Sequence, residues 1–133
     1  MTALTLQDAI RRADAGLARA RDLGVAVNIA FVDQAAHLVH FCRMDDAWLG
    51  SIDIALRKAR TAALFRTATG ALGEQSRPDG PLYGIEWSND GLVSFGGGLP
   101  LTDDANAVIG AVGVSGGTVE QDVQIAEACA KTG

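Results

Sequence analysis

At 133 residues, with 48% hydrophobic and 20% charged side chains, the chain is long enough for one real core and too apolar to be disordered. A net charge of −5 argues against nucleic acid and anionic membrane as main partners, since both need a strong basic face. The longest apolar run falls far short of the roughly 18 residues that span a bilayer. No basic segment precedes an apolar one as a secretory leader requires, so a cytoplasmic location is expected. Cys42 and Cys129 are too few for a disulfide framework and read as free thiols of a reducing compartment.

Thr5, followed three residues later by Asp8, opens a helix in the manner of a capping box. Leu6, Ala9, Ile10, Ala13, Leu17 and Ala20 recur at helical spacing, and Gly24 stops the run. Val25, Val27, Ile29 and Phe31 then alternate with Ala26, Asn28, Ala30 and Val32, a strand with one bulky face and one small face. A small face suits close packing against a helix. A turn at residues 33–36 leads into a second strand from His37 to Met44, completing a hairpin.

A helix is expected over Ser51 to Phe65, with alanines at 55, 59, 62 and 63 for close packing and a basic set of Arg57, Lys58, Arg60 and Arg66 around its end. Thr69 is placed to cap a short further turn. Residues 78–81, Pro-Asp-Gly-Pro, form a firm loop. Tyr83 to Trp87 and Leu92 to Phe95 flank Ser-Asn-Asp-Gly and read as a second hairpin. Ala107 to Ser115 is a further strand, and Thr118 with Gln121 is a capping box for a last helix, Val119 to Ala130. Hairpins separated by helices predict an α+β domain, an antiparallel sheet with helices covering one face.

The stretch from Ser94 to Asp122 carries seven glycines around its last strand, and a helix start follows at once. The glycines fit neither nucleotide template, G-x-G-x-x-G after a first strand or a P-loop with its Lys-Ser/Thr pair. Two readings remain. The amides of Gly116, Gly117 and Thr118 could receive a carboxylate or phosphate at the helix N-terminus, or the glycines could serve only tight turns and close packing. Ser115 satisfies a loose G-x-S-x-G string, but the strand–Ser–helix elbow of a large parallel sheet is absent.

His37 and His40 point to opposite faces of one strand and cannot share an ion, so no metal site is expected. Arg43 and Asp45 lie at a strand end where a pocket mouth can form, with Lys58 and Arg60 on the next helix. Guanidinium and ammonium groups would suit a carboxylate-bearing ligand. Ordinary pairing with Asp45, Asp46 and Asp53 explains the same charges equally well. No nucleophile–base set can be read; His37 and Glu86 are the candidate acid/base groups, and Asp122 has nothing that pairs it by sequence.

The segments VDQAAHLVHFCRMDDA, SIDIALRKARTAALF, PLYGIEWSNDGLVSFGGGLPL and VIGAVGVSGGTVEQDVQIA, in this order along nearly the whole chain, resemble the GlcG/HbpS-like family, also called the haem-degrading domain family. The resemblance implies one domain over residues 1–133 with a profilin-like α/β sandwich, a five-stranded antiparallel sheet with helices packed on it. It implies a homo-oligomer and haem as the candidate cofactor, with His37, His40 or Met44 as axial donors. Some relatives bind haem; others are encoded near glycolate or aromatic-acid catabolism, which leaves a cofactor-independent hydrolase, isomerase or deaminase as the alternative. The absent secretory leader places the chain nearer the cytoplasmic GlcG type. The candidate ligand-binding set is Arg43, Asp45, Lys58, Gly97, Gly98, Ser115, Gly116 and Gly117, for a small anionic molecule. The chain departs from the family pattern at Ala35-Ala36, where Gly-Gly is common, and at residues 104–106.

Overall fold

The computed structural model describes residues 3–131. Helix α1 spans Leu6–Leu23, with Thr5 Oγ accepting the Asp8 amide at 3.1 Å and Gly24 closing it in the left-handed conformation at φ 72°. Strands β1 (Asn28–Asp33) and β2 (Leu38–Arg43) form the first hairpin. Helices α2 (Gly50–Phe65) and α3 (Thr69–Gln75) follow, then a single 3-10 turn at Ile85–Trp87. Strands β3 (Gly98–Thr102) and β4 (Val108–Ser115) make the second hairpin, and α4 spans Val119–Ala130.

The sheet is antiparallel throughout in the order β2-β1-β4-β3, four strands among the described residues rather than five. Residues 83–95 are not a hairpin. Asn89, Asp90 and Gly91 all have positive φ, and their carbonyls accept from Arg57 and Arg60 of α2 instead of from a neighbouring strand. The strand lies just beyond, at Gly98–Thr102. Pro100 gives it no donor there, which an edge strand tolerates.

Helices cover both faces of the sheet, not one. The bulky face of β1 and β4, Ile29, Phe31, Val112 and Val114, packs against α1 and α4 through Ala9, Ala13, Ile125 and Ala126. The small face, Ala30, Val32 and Ala111, meets the alanines at 55, 59, 62 and 63 of α2. A face of small residues is therefore a helix seat and not a wet surface. Gly113 extends that seat: a Cβ there would lie 2.1 Å from the Ala55 carbonyl oxygen.

The α1–α4 layer is equally close. A Cβ on Gly16 would stand 2.3 Å from the Sγ of Cys129, which is fully buried. Arg12, 2% exposed, pairs with Asp8 and donates to the carbonyls of Cys129 and Ala130 at 3.0 and 2.9 Å. It thereby satisfies two of the free carbonyls at the end of α4.

Both hairpin turns use the same device. Asp33 accepts the amides of Ala35 and His37, and Asp103 those of Ala105 and Ala107, each at 2.9 Å. Ala36 and Asn106 take the positive φ that these turns need, so the side-chain acceptor stands in where a glycine turn is expected. No helix among the described residues is long and apolar enough to cross a membrane.

Candidate functional site

The two glycine collars do come together, and Lys58 lies beneath them. It is fully buried, with Nζ donating to the Val114 carbonyl at 2.7 Å and to Asp122 Oδ2 at 3.2 Å. The ring of Phe95 covers the ammonium at 4.9 Å from its centroid, a cation–π contact. Gly97, at φ 126°, lies over it; a Cβ there would meet Nζ and the Val114 oxygen at 2.6 Å each. Gly98 donates its amide to Thr69 Oγ at 2.9 Å, so Thr69 ties α3 to β3 and does not cap α3.

The predicted anion cradle is already filled from within. Asp122 Oδ1 accepts the Gly117 amide at 2.9 Å, the Gln121 side chain accepts that of Thr118 at 2.9 Å, and Thr118 Oγ accepts that of Gln121 at 3.2 Å. The carboxylate that the helix dipole favours is the chain's own. Burial pushes the Lys58 ammonium down from its ordinary value, with Asp122 offsetting part of that. Burial likewise pushes the Asp122 carboxyl up, against the pull of Lys58 and the Gly117 and Gly116 amides.

Lys58, Gly97, Gly98, Gly116 and Gly117 are thus one assembly. Arg43 and Asp45 are not part of it: both are exposed at the end of β2, on the far side of β1 from β4. Ser115, 4% exposed, lies between the two regions, as the register partner of Asn28. Arg57 and Arg60 dock the loop at residues 89–91.

The acid/base candidates are committed locally. The His37 ring is 81% exposed, with Nδ1 3.7 Å from Asp33 Oδ2. Glu86 accepts from Ser94 Oγ, a bond that together with one from Ser76 holds its carboxyl below the ordinary value. His40 is half-buried and stacked on Phe31 at 6.3 Å, and the Met44 sulfur accepts the Val27 amide at 3.3 Å. Among the described residues no three His, Cys, Asp or Glu side chains gather as metal ligands.

On the other side of Phe95 from Lys58 lies a groove of about 400 Å³, with Gly70, Gly96, Val119, Val123 and Arg77 in its walls and none of the five assembly residues among them. Ser94, the partner of Glu86, is on its edge. The Lys58–Asp122 pair is what sequence reading missed, although a signal existed. Lys58 falls three and four residues from Ala55 and Ala62, and Asp122 three, four and seven before Ile125, Ala126 and Cys129. Both therefore lie on core-facing stripes, where a charge needs a partner.

Residues 4–131 match the family described as haem-degrading protein HbpS-like. An uncharacterized 15.0 kDa protein of the dhaT-dhaS intergenic region of Citrobacter freundii is 44% identical over 93% of this chain and 87% of its own length. The corrinoid adenosyltransferase PduO of Salmonella typhimurium is 40% identical over 94% of this chain, which spans only 37% of that longer protein. The crystal structure of a PduOC–haem complex superposes with a TM-score of 0.91 at 40% identity, covering 96% of this chain and 93% of that one. Fold and sequence agree on one lineage: the chain is a member of the GlcG/HbpS-like family.

Proposed function

We propose that the protein binds haem or another carboxylate-bearing small molecule. The observation that carries this is the likeness to the PduOC–haem structure over nearly the whole chain. The residues that could meet such a ligand lie at separate places: the His37 imidazole is open to solvent before β2, Arg43 is exposed at the opposite end of that strand, and Phe95 and Val119 offer apolar surface in the groove across the sheet. Bound haem would supply an iron for ligand or redox chemistry. The chain's part is to hold its propionates and ring. Lys58, Gly97, Gly98, Gly116 and Gly117 support this as a rigid floor rather than as ligand contacts. Exposed Trp48, Leu49, Tyr83 and Trp87 support self-association as a homo-oligomer, and a cytoplasmic location fits the GlcG type.

Hemin titration of the apoprotein is expected to give a saturable Soret shift at micromolar protein; its absence would sink the haem reading. If either histidine ligates iron it is His37, so H37A should change the spectrum. H40A, whose ring is stacked on Phe31, should not. The alternative is a cofactor-independent hydrolase, isomerase or deaminase of small-acid catabolism, supported by the Glu86–Ser94 pair at the groove edge. Turnover of an aromatic or hydroxy acid without haem, lost in E86Q, would favour it.

A further inference from the structure

A groove of about 690 Å³ runs along the outside of the α1–α4 layer and shares no wall residue with the one beside Phe95. Arg11 and Arg19 of α1 form one wall, and Gln124, Glu127 and Lys131, at the end of α4, form the other; all five are exposed. Ala15 and Ala128 lie between them. The two helices run antiparallel, since Arg12 reaches the Cys129 and Ala130 carbonyls while Arg19 reaches Gln124. From Arg11 to Arg19 is eight residues of helix, or about 12 Å. Length and volume both suit a small molecule rather than a single ion.

The chemistry changes along that length. Arg11, Arg12 and Lys131 meet at one end. Arg12 is 2% exposed and held by Asp8 through Nε and by two α4 carbonyls through Nη1, yet its Nη2 has no hydrogen-bond partner among the described residues. A buried guanidinium is thus fixed in place with one edge left over, and Arg12 lines the groove. Lys131 has no ion-pair partner among the described residues. Asp8, paired with Arg11 and Arg12, and Glu127 bring the balance to four cations against two carboxylates, in a chain of net charge −5. The positive end of α1 and the negative end of α4 offset each other here, so side chains set the sign. Guanidinium forks suit a phosphate.

In the middle, Ala15 and Ala128 give a small apolar floor on which a flat ring can lie. The contact of Gly16 with Cys129 keeps the helices together beneath it. Glu127 would repel a bare polyanion but accepts from hydroxyls. At the far end Arg19 donates to Gln124 Oε1 at 3.1 Å, which leaves N–H groups of both for acceptors on a ring edge.

We infer that this groove is a binding site for a ribonucleoside phosphate. The phosphates meet Arg11, the free edge of Arg12 and Lys131. The ribose hydroxyls donate to Glu127, and the base lies on Ala15 and Ala128 with its edge toward Arg19 and Gln124. The site stands apart from the haem reading and does not rest on it.

The test is calorimetric titration of the protein with ADP in about 0.15 M salt, where loose surface attraction is screened. Saturable binding with a dissociation constant of about 0.1–1 mM is expected for so open a site. Pyrophosphate, without ring or hydroxyls, and adenosine, without phosphate, should each bind about tenfold more weakly. K131Q, a surface change, should weaken ADP about fivefold. A15L, at an exposed helix position that accepts leucine, should abolish ADP binding and leave the melting temperature unchanged. Equal affinity for ADP and either fragment overturns the proposal, as does ADP binding that both variants leave untouched. Absence of saturable ADP binding up to about 5 mM overturns it as well, whether the groove is empty or a second copy covers it.

Discussion

Replacing Lys58 by methionine is expected to remove about 3–5 kcal/mol of folding stability, because it leaves Asp122 charged and unpaired in the interior. A domain of this size holds only about 5–15 kcal/mol in all. With a urea slope of about 2 kcal/mol per molar, the midpoint should fall by roughly 2 M. K58M/D122N should recover more than half of the loss. Asparagine still accepts the Gly117 amide through its oxygen, and no buried charge is left over. Equal losses in single and double variants would show that the ion pair is not the source. The pH dependence has a definite sign. Asp122 titrates above 3.8 in the fold, so its contribution declines as pH rises from 3.8 through its folded value. Lys58 titrates below 10.5, so its contribution grows as pH rises through its folded value towards 10.5. D122N should abolish the first slope.

Gly113→Ala is expected to be as damaging by a different route. Its Cβ would stand 2.1 Å from the Ala55 oxygen, 2.5 Å from the Ala59 nitrogen and 3.0 Å from Lys58 Cβ. Two of these are backbone atoms of α2, which no rotamer change can move. The helix must lift off β4, breaking the alanine seat and the Lys58 contacts at once, a loss of about 3 kcal/mol or more. Gly50→Ala, with nothing within 4 Å, is the control and should stay within about 0.5 kcal/mol. A G113A protein that melts within 1 kcal/mol of the parent, a margin well inside ordinary overpacking, would mean the sheet and helix are not in contact there.

Much of this fold is legible along the chain where period and cap agree. The bulky and small faces of β1, the Gly24 stop and the Thr118–Gln121 box all appear as their spacing predicts. Residues 83–95 misled because Asn-Asp-Gly is a strong hairpin signal, yet its turn is held by two arginines from a helix some thirty residues earlier. No local pattern reports such a contact. The strand at Gly98–Thr102 was hidden by a glycine and a proline, residues that only an edge position excuses. Within the site, the glycines marked the right place and the wrong occupant. An anion was readable from the helix start, but that Asp122 supplies it depends on α2 and α4 approaching from opposite faces of the sheet.

The contact between Gly16 and Cys129 has a consequence for the chemistry of the thiol. Burial pushes Cys129 up to about 12 and no reagent can reach its sulfur in the folded molecule. Its oxidation or alkylation therefore samples only molecules in which α1 and α4 have parted. Damage at that position records how often the native state opens, and not how oxidising the surroundings are.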